Sequence, residues 1–220
     1  MPRRYELVGA FALFVGGAAV VLQYLVTPVS GSMGGAELLA TVTEHRTAMG
    51  WALALDFPVL LAAPAFLFIG YLAQARTSVL ASIATAFLFF PFVVSLPAIF
   101  GLDGLAFLAS EEPNQVAMVH LLDSWQGSTW FALSVLPYVL LQIVGGILLA
   151  IALRRVTSVP SWVALATGAW PLFAVAGQES GVRVIAVIGY ALLFATWAVF
   201  AMLLLRGRQP AAAQPALVTA

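Results

Sequence analysis

The chain has 220 residues; 63% are hydrophobic and 8% charged, and the mean hydropathy is +1.05. Soluble domains run about 45–50% apolar and about 25% charged. The composition therefore excludes a water-soluble globule, a disordered chain and a nucleic-acid binder with a basic face, and it leaves an integral membrane protein whose first partner is the lipid bilayer.

All nine basic residues are Arg, and nine Asp plus Glu balance them. Usage rich in Ala, Gly and Arg without Lys fits a GC-rich bacterial genome. Cys is absent. That excludes disulfides, thiol catalysis, Cys-ligated zinc and iron–sulfur clusters.

A spanning helix needs about 20 mostly apolar residues. Residues 7–26, 48–73, 79–100, 130–153, 162–177 and 184–205 meet or approach this. The runs are continuous rather than alternating, so they predict helices and not a barrel. The expected fold is all-α, a polytopic transmembrane bundle of six spanning helices over residues 1–207, followed by a disordered cytoplasmic tail at 208–220.

The first run follows Arg3 and Arg4 but is longer than a signal-peptide core and lacks an A-x-A site, so a retained helix is expected. The second run contains Asp56, about eight residues or about 12 Å inside it. An ionisable group at that depth is costly unless paired or wetted, and is a functional candidate by default. The alternative is a neutral Asp that hydrogen-bonds to a neighbouring helix or to a carbonyl freed by Pro58. His45 lies eleven residues earlier, three turns plus about 20° on a regular helix. His45, Met49 and Asp56 then form a stripe, a candidate polar pathway for a proton or cation. The alternative is an interfacial His above a packed face.

Pro58, Pro64, Pro91, Pro97, Pro137 and Pro171 all fall inside predicted helices. Either their kinks open a central cavity, or Pro is simply common in membrane helices. The loop at 102–129 contains an apolar segment, 116–125, expected as a short surface helix, and Trp125 and Trp130 fit an interfacial belt. His120 and Asp123 lie at i and i+3 in this segment, a candidate external site. Gln142 is the strongly polar residue of the fourth run and is expected to make an interhelical contact. Gly146 with Ala150, and Ala12 with Gly16, make small-xxx-small steps for close packing. The fifth run reaches full length when Pro160 and Ser161 start it and it continues into Gln178.

Orientation follows the Arg count. With six spans, Arg3, Arg4, Arg76, Arg154, Arg155, Arg206 and Arg208 share one side, and only Arg46 and Arg183 take the other. Both termini are expected in the cytoplasm of a bacterium, with the chain in its inner membrane. The two longer loops, 27–47 and 102–129, are then external. A faint repeat at an offset of 80 joins Thr77-Ser78-Val79 to Thr157-Ser158-Val159 and Pro91 to Pro171; it reads as a duplication or as biased composition.

Gly101-Leu102-Asp103 at the end of the third run, the run at 147–155 ending in Arg154-Arg155, and Val159-Pro160-Ser161-Trp162 opening the fifth carry a resemblance. Over residues 45–177 the chain resembles uncharacterised six-helix integral membrane proteins of actinobacteria. The resemblance implies fold and location, and no activity.

No nucleophile motif, H-E-x-x-H pair or phosphate-cradling loop is present, so the chain is not expected to be an enzyme. Asp56 has no evident second deep carboxylate. Three expectations remain. The first is a small carrier or proton-linked transporter using Asp56. The second is a non-catalytic partner subunit or sensor acting through external loops, with homo-oligomers permitted. The third is haem or copper held by His45 and His120; no cofactor and no metal site are the working expectation.

Overall fold

The computed structural model describes residues 3–31, 33–74 and 78–206. Arg76, Thr77 and the tail expected at 208–220 lie outside the described residues. Among the described residues there are nine helices and no strand: α1 (Arg3–Val26), α2 (Gly35–Glu44), α3 (Arg46–Val59), α4 (Ala62–Ala73), α5 (Ser78–Ala109), α6 (Gln115–Gln126), α7 (Thr129–Leu153), α8 (Ser161–Ser180) and α9 (Arg183–Arg206). Arg3–Val26, Arg46–Ala73, Val79–Ala109, Thr129–Leu153 and Arg183–Arg206 are long and apolar enough to cross a membrane. α8 is 20 residues long, but Trp162, Thr167, Trp170, Pro171 and Gln178 dilute its apolarity.

The second predicted helix is two. Pro64 has no amide proton for the Leu60 carbonyl, and its ring crowds that carbonyl. The chain answers with tight i to i+3 bonds, Leu61 N to Pro58 O at 3.1 Å and Ala63 N to Leu60 O at 3.2 Å, between α3 and α4. Pro91 and Pro97, by contrast, stay inside a continuous α5. α5 also runs past Gly101 and Gly104 to Ala109. Each Gly weakens a helix by about 1 kcal/mol, but buried Leu102, Ala106 and Ala109 hold this end in place.

The long helices form a ring in the order α1, α9, α8, α7, α5 and the broken pair α3–α4, which returns to α1. Neighbours are antiparallel. Gly9 meets Phe68 while Gly16 meets Leu61 and Ala62; Gly146 meets Pro171 while Gly168 meets Ala150. Both small-xxx-small steps thus sit at close helix approaches. Leu7 and Leu205 border one groove, so α1 starts and α9 ends at the same end of the bundle. Phe66 of α4 fills the middle of the ring. Its ring centroid lies 5.1 Å from Phe92, 5.1 Å from Trp197 and 6.5 Å from Trp170.

At the opposite end, α2 and α6 form a cap. The loop expected at 27–47 contains α2, and α6 spans the helix expected at 116–125. Leu38, Leu39 and Val42 of α2, Leu122 of α6, Met49 of α3 and Leu102 of α5 make a second small core. Asp123 docks the two cap helices: its Oδ1 accepts from the Gly35 amide at 2.8 Å, at the first turn of α2. Arg46 fixes the end of α5 below the cap. It pairs with Glu111 at 2.6 Å, donates to the Phe107 carbonyl and the Ser110 hydroxyl, and lies 4.1 Å from the Phe107 ring centroid. Asp123→Ala is expected to cost about 1 kcal/mol. Faster proteolysis between α5 and α6 in detergent would report it; an unchanged digestion rate would contradict the docking role.

Candidate functional site

α1, α3 and α5 converge near the cap and bring three polar side chains together. Asp56 of α3 is buried at 7% exposure. Its Oδ1 accepts from the Gln23 Nε2 of α1 at 3.3 Å. Asp103 of α5 lies close enough for the two carboxyl groups to interact electrostatically. Asp103 reaches this place only because α5 continues through Gly101 and Gly104. Asp103, expected in the loop at 102–129, lies instead within α5.

Asp103 and Gln23 line a cavity of about 660 Å³. Its wall is mostly apolar, with Val20, Leu96, Phe100 and Val139, and it is bounded below by Phe92. Its rim is made of segments between helices, with Ser30 and Gly31 on one side and Gly181 on the other. Gly181 supplies the left-handed conformation, φ 69°, that ends α8. Below Phe92 the cluster around Phe66 closes the ring. Leu38 of α2 and Gln126 of α6 line the cavity on the cap side.

The cavity wall also carries phenols, those of Tyr24, Tyr138 and Tyr190. The Tyr24 and Tyr190 rings lie 4.8 Å apart, and Gln178 Nε2 donates to the Tyr190 hydroxyl at 2.7 Å. Tyr138 stands beside Tyr190 and Gln142. Arg183 closes the rim. Its guanidinium donates to the carbonyls of Tyr24, Leu25 and Thr27 at 3.1, 2.6 and 3.3 Å. A cation at these carbonyls complements the negative end of the α1 dipole.

The other residues singled out in the sequence fall as follows. α2 ends at Glu44 and α3 starts at Arg46, with His45 between them at φ −112° and ψ 36°. The eleven-residue register from His45 to Asp56 is thus broken, and His45 is exposed. Met49 is fully buried in the cap core, so the stripe His45, Met49, Asp56 is not a continuous polar path. His120 is exposed, with its Nδ1 3.4 Å from the Ser124 hydroxyl, while Asp123 binds Gly35 instead. No ion pair joins them, and among the described residues no three His, Asp or Glu side chains are grouped to hold a metal ion.

Gln142 is 1% exposed, yet its Nε2 has no hydrogen-bond partner, so that atom does not make the expected interhelical bond. The Ser95 hydroxyl on α5 is also buried without a partner. An unpaired buried amide costs about 1–3 kcal/mol. Gln142→Leu is therefore expected to raise the Tm read by Trp fluorescence. A lower Tm would show that the amide has a water partner.

Asp103 and Gln23 are the site residues that sequence reasoning missed. The signal for Asp103 was present: the residues flanking it, Leu102, Leu105, Ala106 and Phe107, continue the apolar run on both sides. Gln23 showed as a lone amide inside the first run.

Comparison with protein-family models, curated proteins and solved structures finds no match. The class is therefore set by architecture: an all-helical protein with five helices long and apolar enough to cross a membrane.

Proposed function

We propose that this chain is a small proton-linked carrier of a bacterial inner membrane. In this reading α8 is the sixth span and both termini lie in the cytoplasm. The uneven Arg distribution supports that orientation. So does the arrangement of α1 and α9, which begin and end at one end of the bundle.

The observation that carries the reading is the buried Asp56, bonded to a Gln23 that lines the cavity together with Asp103. A carboxylate buried as deeply as Asp56 is costly to keep charged, and a proton or a cation offsets that cost. A ligand entering from the cap competes with, or travels with, that proton. The break between α3 and α4 follows Asp56 by four residues, and interrupted helices at midplane sites are a recurring device of carriers. Release on the other side requires the Phe66 cluster to part.

The test is solute-induced proton movement in proteoliposomes loaded with a pH-sensitive dye, using a panel of amines, amino acids and carboxylic acids. At least one class moves protons with the wild-type chain, and Asp56→Asn reduces this to the level of protein-free vesicles. Equal movement with Asp56→Asn, or none with any solute, would overturn the proposal. A second reading, a partner subunit or sensor acting through the cap, rests on α6, which exposes Val116, Leu121 and Trp125. It predicts that changes on α6 impair function while Asp56→Asn does not.

A further inference from the structure

The cavity lining specifies the chemistry of its occupant. Its volume, about 660 Å³, is within the range of small-molecule pockets, roughly 300–1,000 Å³. Asp103 lies in its wall, and Glu179 stands at the rim. Arg183 is the one basic residue among the described lining residues, and its guanidinium is engaged by three carbonyls of α1 and the following linker. Against this single guanidinium the lining sets two carboxylates, Asp103 and Glu179. The rest of the wall combines neutral polar groups, among them Gln23, Gln126 and Gln178, with apolar surface and aromatic rings such as Phe92, Phe100 and Tyr138. Aromatic faces attract cations, most strongly where water is scarce. An ammonium with a tight hydration shell gains little from such a wall, whereas a cation with its charge spread over an apolar body fits it.

We propose that this cavity binds a lipophilic organic cation, with its charge facing Asp103 and its apolar body against the aromatic wall. Binding itself needs only the cavity; the further step, that such a cation is what the protein carries, rests on the proton-linked reading above.

The test uses the purified full chain in mild detergent and radiolabelled tetraphenylphosphonium in equilibrium dialysis. Tetraphenylborate, of nearly the same size and shape but opposite charge, is dialysed separately as the control. Saturable binding of tetraphenylphosphonium near one per chain is expected, and tetraphenylborate alone shows none. Asp103→Asn lowers the affinity at least tenfold, and Asp103→Glu, which keeps the charge, restores most of it. Should Asp103→Asn fail to elute as a single species, Tyr138→Leu decides, with an expected loss of at least threefold. Four results would each overturn the assignment: no saturable binding above protein-free micelles, equally tight binding of tetraphenylborate dialysed alone, unchanged affinity in Asp103→Asn, or unchanged affinity in Tyr138→Leu. Proton movement in the vesicles without tetraphenylphosphonium binding would remove this assignment and leave the carrier reading standing. Binding without proton movement in the vesicles would do the reverse.

Discussion

Gly189→Leu is expected to destroy the folded bundle. A Cβ at Gly189 would sit 2.5 Å from the Ala174 amide nitrogen and 2.9 Å from the Trp170 carbonyl oxygen. A Cβ at Gly177, on the facing helix, would overlap the Ala186 backbone in the same way. Both obstacles are backbone, so no side-chain rotation relieves them and α8 must move off α9. Overpacking usually costs about 1–3 kcal/mol. Here a whole helix interface is displaced, and the loss should reach or exceed the top of that range. Loss of the single peak on size exclusion in detergent is the expected readout. A variant eluting as wild type with an unchanged Tm would contradict the close approach of α8 and α9.

The second large effect concerns the carboxylates. Asp103→Asn is expected to abolish solute-induced proton movement as completely as Asp56→Asn, and the double variant to be no worse than either single one. Groups that act as one unit are strongly non-additive. Independent sites would instead give two partial losses that multiply. The same dye-loaded vesicles measure this. Activity retained in Asp103→Asn would remove Asp103 from the mechanism and return Asp56 to a structural role bonded to Gln23.

The parts of the fold legible in the sequence were those set by apolar length alone. Five long apolar helices fall where the hydropathy runs placed them, and α6 falls where a short apolar segment interrupts a polar loop. α2 was not legible. Its buried residues, Leu38, Leu39 and Val42, are few, and they gain meaning only from contacts with α5 and α6 far along the chain. The helix break was half legible: six prolines were visible, but only packing decides that the chain parts after Pro58 while Pro91 and Pro97 are absorbed.

The candidate site was half legible for a related reason. Asp56 was conspicuous because a charge within an apolar run has a large desolvation cost. Asp103 was hidden between two glycines at the end of such a run. Propensity there favours a helix end, and burial of Leu102 and Ala106 overrides it. His45 and Met49 show the opposite error, since a regular helical register was assumed across a junction where the backbone turns.

The central claim is that water reaches Asp103 from the cap side of the membrane and from no other. The chain has no native Cys, so an Asp103→Cys variant carries a single thiol. A membrane-impermeant maleimide would be added to sealed vesicles of each orientation, with Ser30→Cys at the rim as the exposed reference. The account predicts that Cys at position 103 is labelled from the side that labels position 30, more slowly than the reference, and is not labelled from the side of Arg154 and Arg155. Labelling from the Arg154 side, or no labelling from either, would contradict it.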